Sequence, residues 1–244
     1  MSIACPSLIG SHYPNLCAAV DHYCERTNSA LDAEPINALT NAGFLIAAWG
    51  AWLLYLRHPA ASARVLIRIL ISIIVTVGLG SFLFHTVATR WAEWGDVLPI
   101  MLFMLLYLWL VLTVFFGLPA WLKVSVLVMY FAATFYLELA VSGTVLWGGA
   151  LYLPTLLLMG AIVTALYWRR SPTAGTILVA TVVFLLSFTA RTLDAKVCPV
   201  LPIGTHFLWH LLNATLLYVL VKAAILHGAP LPGSQHFKET RAAS

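Results

Sequence analysis

Three histidines define the chemistry open to this chain: His85, and the pair His206 and His210. Each interrupts a stretch of apolar residues, where an ionisable side chain is costly and normally faces a protein interior or a wet cavity in which it has work to do. His206 and His210 are spaced i, i+4. On a helix they project from one face about one turn apart, as two ligands of a single metal ion must. His85 can supply a third ligand. Three protein ligands with a fourth position left for water are the pattern of a catalytic zinc, whereas a structural zinc is closed by four. Asp96 and Ser81 fall at the same level of the chain's layout, and Ser81 precedes His85 by four residues on the same helix face. Singly, each has an ordinary reading: His85 as a satisfied interior histidine, Asp96 as the N-cap of a helix with Pro99 in its first turn, Ser81 as a donor to a carbonyl one turn back. Five such residues converging from three helices on one depth favour a site.

The elements that must hold them are membrane spans. Hydrophobic residues make up 61% of the 244 and charged residues only 9%, with a mean hydropathy of +0.93. Soluble domains carry about 25% charged residues, so this chain must present its sides to lipid. The net charge of +4 is therefore no nucleic-acid signal, and no basic stripe interleaved with aromatics suggests a groove for one. A helix crosses a bilayer with about twenty apolar residues, and seven such stretches are present. They run from about Ile36 to Leu56, Val65 to Val87, Val97 to Gly117 and Ala120 to Leu139, then within Leu146 to Trp168 (with a bend expected at Pro154), and from Thr173 to Ala190 and Ile203 to Leu226. The expectation is one all-α domain, a seven-helix transmembrane bundle over residues 36–228. It is preceded by an N-terminal segment, 1–35, and followed by a polar, disordered tail, 229–244. No internal repeat is visible.

Loop charge sets the expected orientation. Arg57, Arg64, Arg68, Lys123, Arg169, Arg170, Lys222, Lys238 and Arg241 fall on one side, and Arg26, Arg90, Arg191 and Lys196 on the other. The positive-inside tendency then puts the N-terminus outside or lumenal and the C-terminus in the cytosol. The opening residues lack a basic region followed by a clean apolar one, so no cleavable signal peptide is read. Cys5, Cys17, Cys24 and Cys198 all lie on segments placed outside, where disulfides persist. Four cysteines allow three pairings, and spacing does not choose among them. In this frame His85 near the outer end of the second span, His206 and His210 near the outer start of the seventh, and Asp96 at the head of the third share a depth.

These residues resemble the alkaline ceramidases, within the superfamily of seven-helix membrane hydrolases that includes the adiponectin receptors and lipid-remodelling enzymes of glycosylphosphatidylinositol anchors. The likeness is carried by Ser81-Phe82-Leu83-Phe84-His85, then Asp96, then Gly204-Thr205-His206-Phe207-Leu208-Trp209-His210, in the family's order and over the whole seven-span layout. It implies a zinc held by His85, His206 and His210 with Asp96 and Ser81 close by. The N-terminal run Asp21-His22-Tyr23-Cys24-Glu25, followed by Glu34-Pro35-Ile36-Asn37 and Asn41, resembles the ceramidases' calcium site. The resemblance implies that Asp21, Glu25, Asn28 and Glu34 offer oxygens to Ca2+, a hard cation that takes several. It also implies a disulfide between Cys24 and Cys198.

The reaction expected is hydrolysis of the N-acyl bond of a ceramide-like sphingolipid in the membrane, to a sphingoid base and a free fatty acid. Asp96 would move the proton as general base and then acid, and Ser81 would help hold the developing oxyanion. Trp94, Trp147 and Trp209 could line the entrance, or form an interfacial belt. A zinc esterase on a phospholipid or glycolipid would use the same residues. A non-enzymatic seven-helix receptor, a transporter or a retinal protein fits less well. Lys222 sits near the inner end of its helix, too shallow for a Schiff base, and the ionisable residues gather at one depth rather than along a path. A bacterial inner membrane is slightly favoured over ER or Golgi, and oligomeric state is not legible.

Overall fold

The computed structural model describes residues 5–59, 63–141 and 149–228; the polar tail and Trp147 lie outside the described residues. Among the described residues the protein is all-helical, with one isolated bridge pairing Ala19 and Thr89. A short helix α1 (Ser7–His12) and a 3-10 turn (Pro14–Cys17) open the N-terminal segment. There follow α2 (Pro35–Thr40), α3 (Ala42–Arg57), α4 (Arg64–Val87), α5 (Arg90–Leu110), α6 (Ala120–Ala140), α7 (Leu153–Trp168), α8 (Ala174–Val197) and α9 (His206–His227). Helices α2 and α3 together make the first of seven spans long and apolar enough to cross a membrane, and α4 to α9 make the others. A helix of 24 residues such as α4 is about 36 Å long, enough for the hydrocarbon core.

Several ends differ from those read by hydropathy, each for a physical reason. The third span starts at Arg90, not Val97, and the sixth runs to Val197, not Ala190. The extra turns, Arg90 to Asp96 and Arg191 to Lys196, carry charges, so an apolar window stops short although the backbone stays helical. Asp96 is consequently not an N-cap but lies more than a turn inside α5, whose N-cap is Thr89. Pro154 does not bend the fifth span. It sits in the first turn of α7, where its missing N–H would have had no intrahelical acceptor.

Helix α9 is the most buried of the spans and α6 the least. α9 packs against α3, α4 and α8, and α4 packs against α3 and α5. Close approach of α3 to α9 rests on small residues, as membrane helices require where hydrophobicity gives no driving force between them. Gly43 faces Ala214 and Leu211, and Gly50 faces Tyr218. The N-terminal segment covers one end of this bundle. The Val20 amide donates to the Ala88 carbonyl and the Arg90 amide to the Ala18 carbonyl, and a Cys24–Cys198 disulfide ties the segment to the α8–α9 turn. Cys5 pairs with Cys17. The end of α4, the start of α5, the end of α8 and the start of α9 therefore meet beneath residues 18–34.

Candidate metal centre

His85 comes from the last turn of α4, and His206 and His210 from the first turns of α9. All three are essentially fully buried, at 0%, 1% and 1% exposure. Their ring centroids lie 5.1 Å (His85–His206), 4.7 Å (His85–His210) and 4.6 Å (His206–His210) apart. One ligand nitrogen from each lies within 4.8 Å of the others. Three buried ring nitrogens, His85 Nε2, His206 Nδ1 and His210 Nε2, have no protein partner. A buried polar atom without a partner costs free energy, and a cation bound among the three rings would offset that cost. The set could hold a metal ion, and imidazole nitrogens suit zinc.

The opposite faces of two of these rings are fixed by the first span. His85 Nδ1 donates to Glu34 Oε2 at 2.6 Å. Thr40 Oγ1 lies 2.9 Å from His210 Nδ1 while its own proton is directed at the Ile36 or Asn37 carbonyl, so Nδ1–H of His210 is the donor. Both rings are thereby held as the tautomer whose Nε2 carries a lone pair toward the cluster. His206 is oriented differently. Tyr23 stacks on its ring at 3.6 Å between centroids and 18° between planes, and burial pushes the Tyr23 phenol well up from its ordinary range. The backbone at the head of α9 is held by Asp194 of α8, which accepts from the amides of Thr205 (2.6 Å), His206 (2.9 Å) and Cys24 (3.0 Å). A carboxylate at a helix N-terminus satisfies orphan N–H groups and opposes the helix dipole. Gly204 has φ +64°, and a Cβ there would collide with the Asp194 carboxylate and stand 2.8 Å from the Cys24 Cβ, so this turn admits only glycine.

Ser81 of α4 and Asp96 of α5 stand beside each other across the contact between the two helices. Ser81 is buried, and Asp96 Oδ1 has no protein partner. Asp96 faces a polar chamber lined also by Tyr23, Glu93, Arg191 and Asp194. Ile100, Tyr152 and Trp209 line this chamber and equally a second, almost wholly apolar cavity that runs on between α5, α7, α8 and α9 past Phe103, Tyr107 and Leu216. Trp209 is buried against Tyr152, 5.0 Å between ring centroids, and forms the wall between the two spaces rather than an outer entrance. Trp94 is exposed.

Of the residues expected to bind calcium, none of Asp21, Glu25 and Glu34 belongs to a converging group of three or more His, Cys, Asp or Glu; among the described residues that group is the three histidines. Glu25 accepts from the amides of Ile36 (2.7 Å) and Asn37 (2.8 Å) at the head of α2. Asn28 Oδ1 accepts from the Ala30 amide. Glu34 is buried, takes the Arg26 guanidinium on Oε1 at 2.5 Å, and takes His85 and the side-chain Nδ2 of Asn37 on Oε2. Burial alone would raise its carboxyl; the hydrogen bond from His85, then those from Arg26 and Asn37, outweigh that and hold it below the ordinary carboxylate range. Sequence reasoning missed Tyr23, Arg26, Thr40 and Asp194 as positioning residues. Only Thr40 had a local signal, at the head of the first span, which begins just after Glu34.

The family model described as Ceramidase matches residues 18–241, nearly the whole chain. No curated protein and no solved structure gives a significant match.

Proposed function

The chain belongs to the ceramidase family, and from that premise we propose that it is a zinc-dependent amidase of the membrane. It would hydrolyse the N-acyl bond of ceramide-like sphingolipids to a sphingoid base and a free fatty acid. One observation carries this reading: three buried histidines with unpartnered nitrogens stand beside a chamber that holds a carboxylate and shares a wall with an apolar cavity. His85, His206 and His210 would hold the ion, which when bound supplies a Lewis acid for the acyl carbonyl and lowers the pKa of water. Asp96 takes a proton from the attacking water and delivers it to the leaving amine nitrogen. The Ser81 hydroxyl, beside Asp96, donates to the carbonyl oxygen as it gains charge. The apolar cavity accepts the acyl chain and excludes water from the amide, while the polar chamber, with Glu93 and Asp194 on its wall, suits the amino-alcohol end. The positive-inside charge pattern supports a chamber on the exoplasmic or lumenal side.

The test is purification in detergent, metal analysis, and incubation with N-acyl sphingoid bases and glycerophospholipids. One zinc per chain is expected. His206→Ala should lose metal and activity together. Asp96→Asn should retain metal and lose turnover by roughly 10²- to 10⁴-fold, the range of general acid–base catalysis. Wild-type turnover in Asp96→Asn would remove its proton-transfer role; cleavage of glycerophospholipid esters alone would replace the amidase with an esterase.

A further inference from the structure

We propose that Arg26 is a built-in cation standing where the N-terminal segment's likeness to a calcium site would put the ion, and that through Glu34 it positions His85; the chain then needs no calcium. The proposal rests on the reading of His85 as a metal ligand for its second half only.

The geometry is that of an oxygen cage closed around a guanidinium. Arg26 follows Glu25 directly, yet its side chain is buried, at 4% exposure, as is that of Glu34. Nε donates to Glu34 Oε1 at 2.5 Å, one terminal nitrogen to the carbonyls of Asn28 and Ala30 at 3.3 Å each, and the other to the carbonyl of His85 at 3.0 Å. One carboxylate oxygen and three carbonyl oxygens are what a hard divalent cation would gather, and here a single side chain takes all four. A calcium ion in this cage would have to displace a buried positive charge and leave it unpaired, which is strongly unfavourable. The remaining expected oxygens serve the backbone: Glu25 closes the head of α2 and Asn28 its own loop.

The same guanidinium grips His85 from two directions. It donates to the His85 backbone carbonyl, and it fixes the carboxylate whose other oxygen accepts from His85 Nδ1. Arg26 thus neutralises Glu34 without touching the ring, leaving Glu34 Oε2 as the acceptor that sets the tautomer. Partners of this kind govern metal affinity by roughly 10- to 100-fold. Arg26 is accordingly a positioning residue, not a catalytic one.

The experiment has two arms. In the first, the purified wild-type chain is titrated with CaCl2 by calorimetry and assayed for N-acyl sphingosine hydrolysis in EGTA and in added CaCl2. No calcium binding and equal activity are expected; saturable calcium binding with activation would overturn the proposal, whether or not zinc is present. In the second, wild type, Arg26→Gln and Arg26→Lys are loaded with Co2+, and the visible d–d spectrum and the affinity for Co2+ are measured without substrate. Arg26→Gln should bind Co2+ roughly 10- to 100-fold more weakly with a shifted spectrum, and added guanidinium chloride should restore both, while Arg26→Lys should fall between. Wild-type spectrum and affinity in Arg26→Gln would overturn the positioning role. Failure of wild type to bind Co2+ at all would instead overturn the histidine metal site, with the calcium arm still deciding the first half.

Discussion

Replacing Gly80 by alanine probes the spacing of Ser81 and Asp96 directly, because at this glycine α4 lies against the backbone of α5. Pro99 has no N–H, so the Gly95 carbonyl four residues earlier lacks its helical donor. That carbonyl lies against Gly80. A Cβ at Gly80 would overlap the Gly95 carbonyl oxygen and stand 2.8 Å from its carbon and 3.4 Å from the Asp96 amide nitrogen. The obstacle is backbone, so no side chain can swing aside. Carbon atoms pack at about 3.5–4.0 Å, and reaching that distance requires the helices to part by roughly 1 Å. Overpacking of this kind costs about 1–3 kcal/mol of stability.

The reaction bears a cost of similar size. Gly80 precedes Ser81 and Gly95 precedes Asp96, so parting the helices parts the hydroxyl and carboxylate, and a misplacement of about 1 Å can cost on the order of 100-fold in rate, about 2.7 kcal/mol in the barrier. Gly95→Ala is the matched control, since a Cβ there meets nothing within 4 Å and alanine favours the helix by about 1 kcal/mol. The assay is kcat on an N-acyl sphingoid base in detergent, with zinc per chain and thermal midpoint measured alongside. Gly80→Ala should lose about 100-fold in kcat while still binding metal, and Gly95→Ala should stay within about threefold of wild type. A Gly80→Ala protein turning over within about threefold of wild type would refute the claim that this contact sets the pair.

Asp194→Asn should lower the thermal midpoint in micelles and weaken metal retention together. It turns a charged acceptor of three backbone amides into a neutral group, and bonds to charged acceptors are worth about 1.5–3 kcal/mol each; an unchanged midpoint would show that the head of α9 is held by packing alone. Removing the Cys24–Cys198 bridge as the double serine variant frees a cross-link spanning 174 residues, for which chain entropy sets a loss of about 5 kcal/mol as the upper bound. The variant should melt earlier and release metal faster to a chelator, because Tyr23 is next to Cys24 and covers His206; metal release at the wild-type rate would separate the lid from the bridge.

What the sequence reveals depends on whether the informative neighbours are close along the chain. His206 and His210 were legible because helical periodicity alone brings them to one face, and His85 because an ionisable group in an apolar span needs a reason. Span number was legible because lipid leaves few alternatives to helix, but span ends were not, since the charged turns at 90–96 and 191–196 are helical without being apolar. Asp194 was invisible for a different reason: the amides it accepts from are 11, 12 and 170 residues away, and nothing local distinguishes it from a solvated helix end. Glu34 is the instructive case. Its acidity was plain, and a buried carboxylate demands a cation, but composition does not state which cation. Arg26 stood in view as a mark of membrane orientation, while its burial against Glu34 and the His85 carbonyl exists only once the 20–34 loop folds over the end of α4. A charge counted as topology was a charge used for structure, and only three-dimensional pairing can tell the two apart.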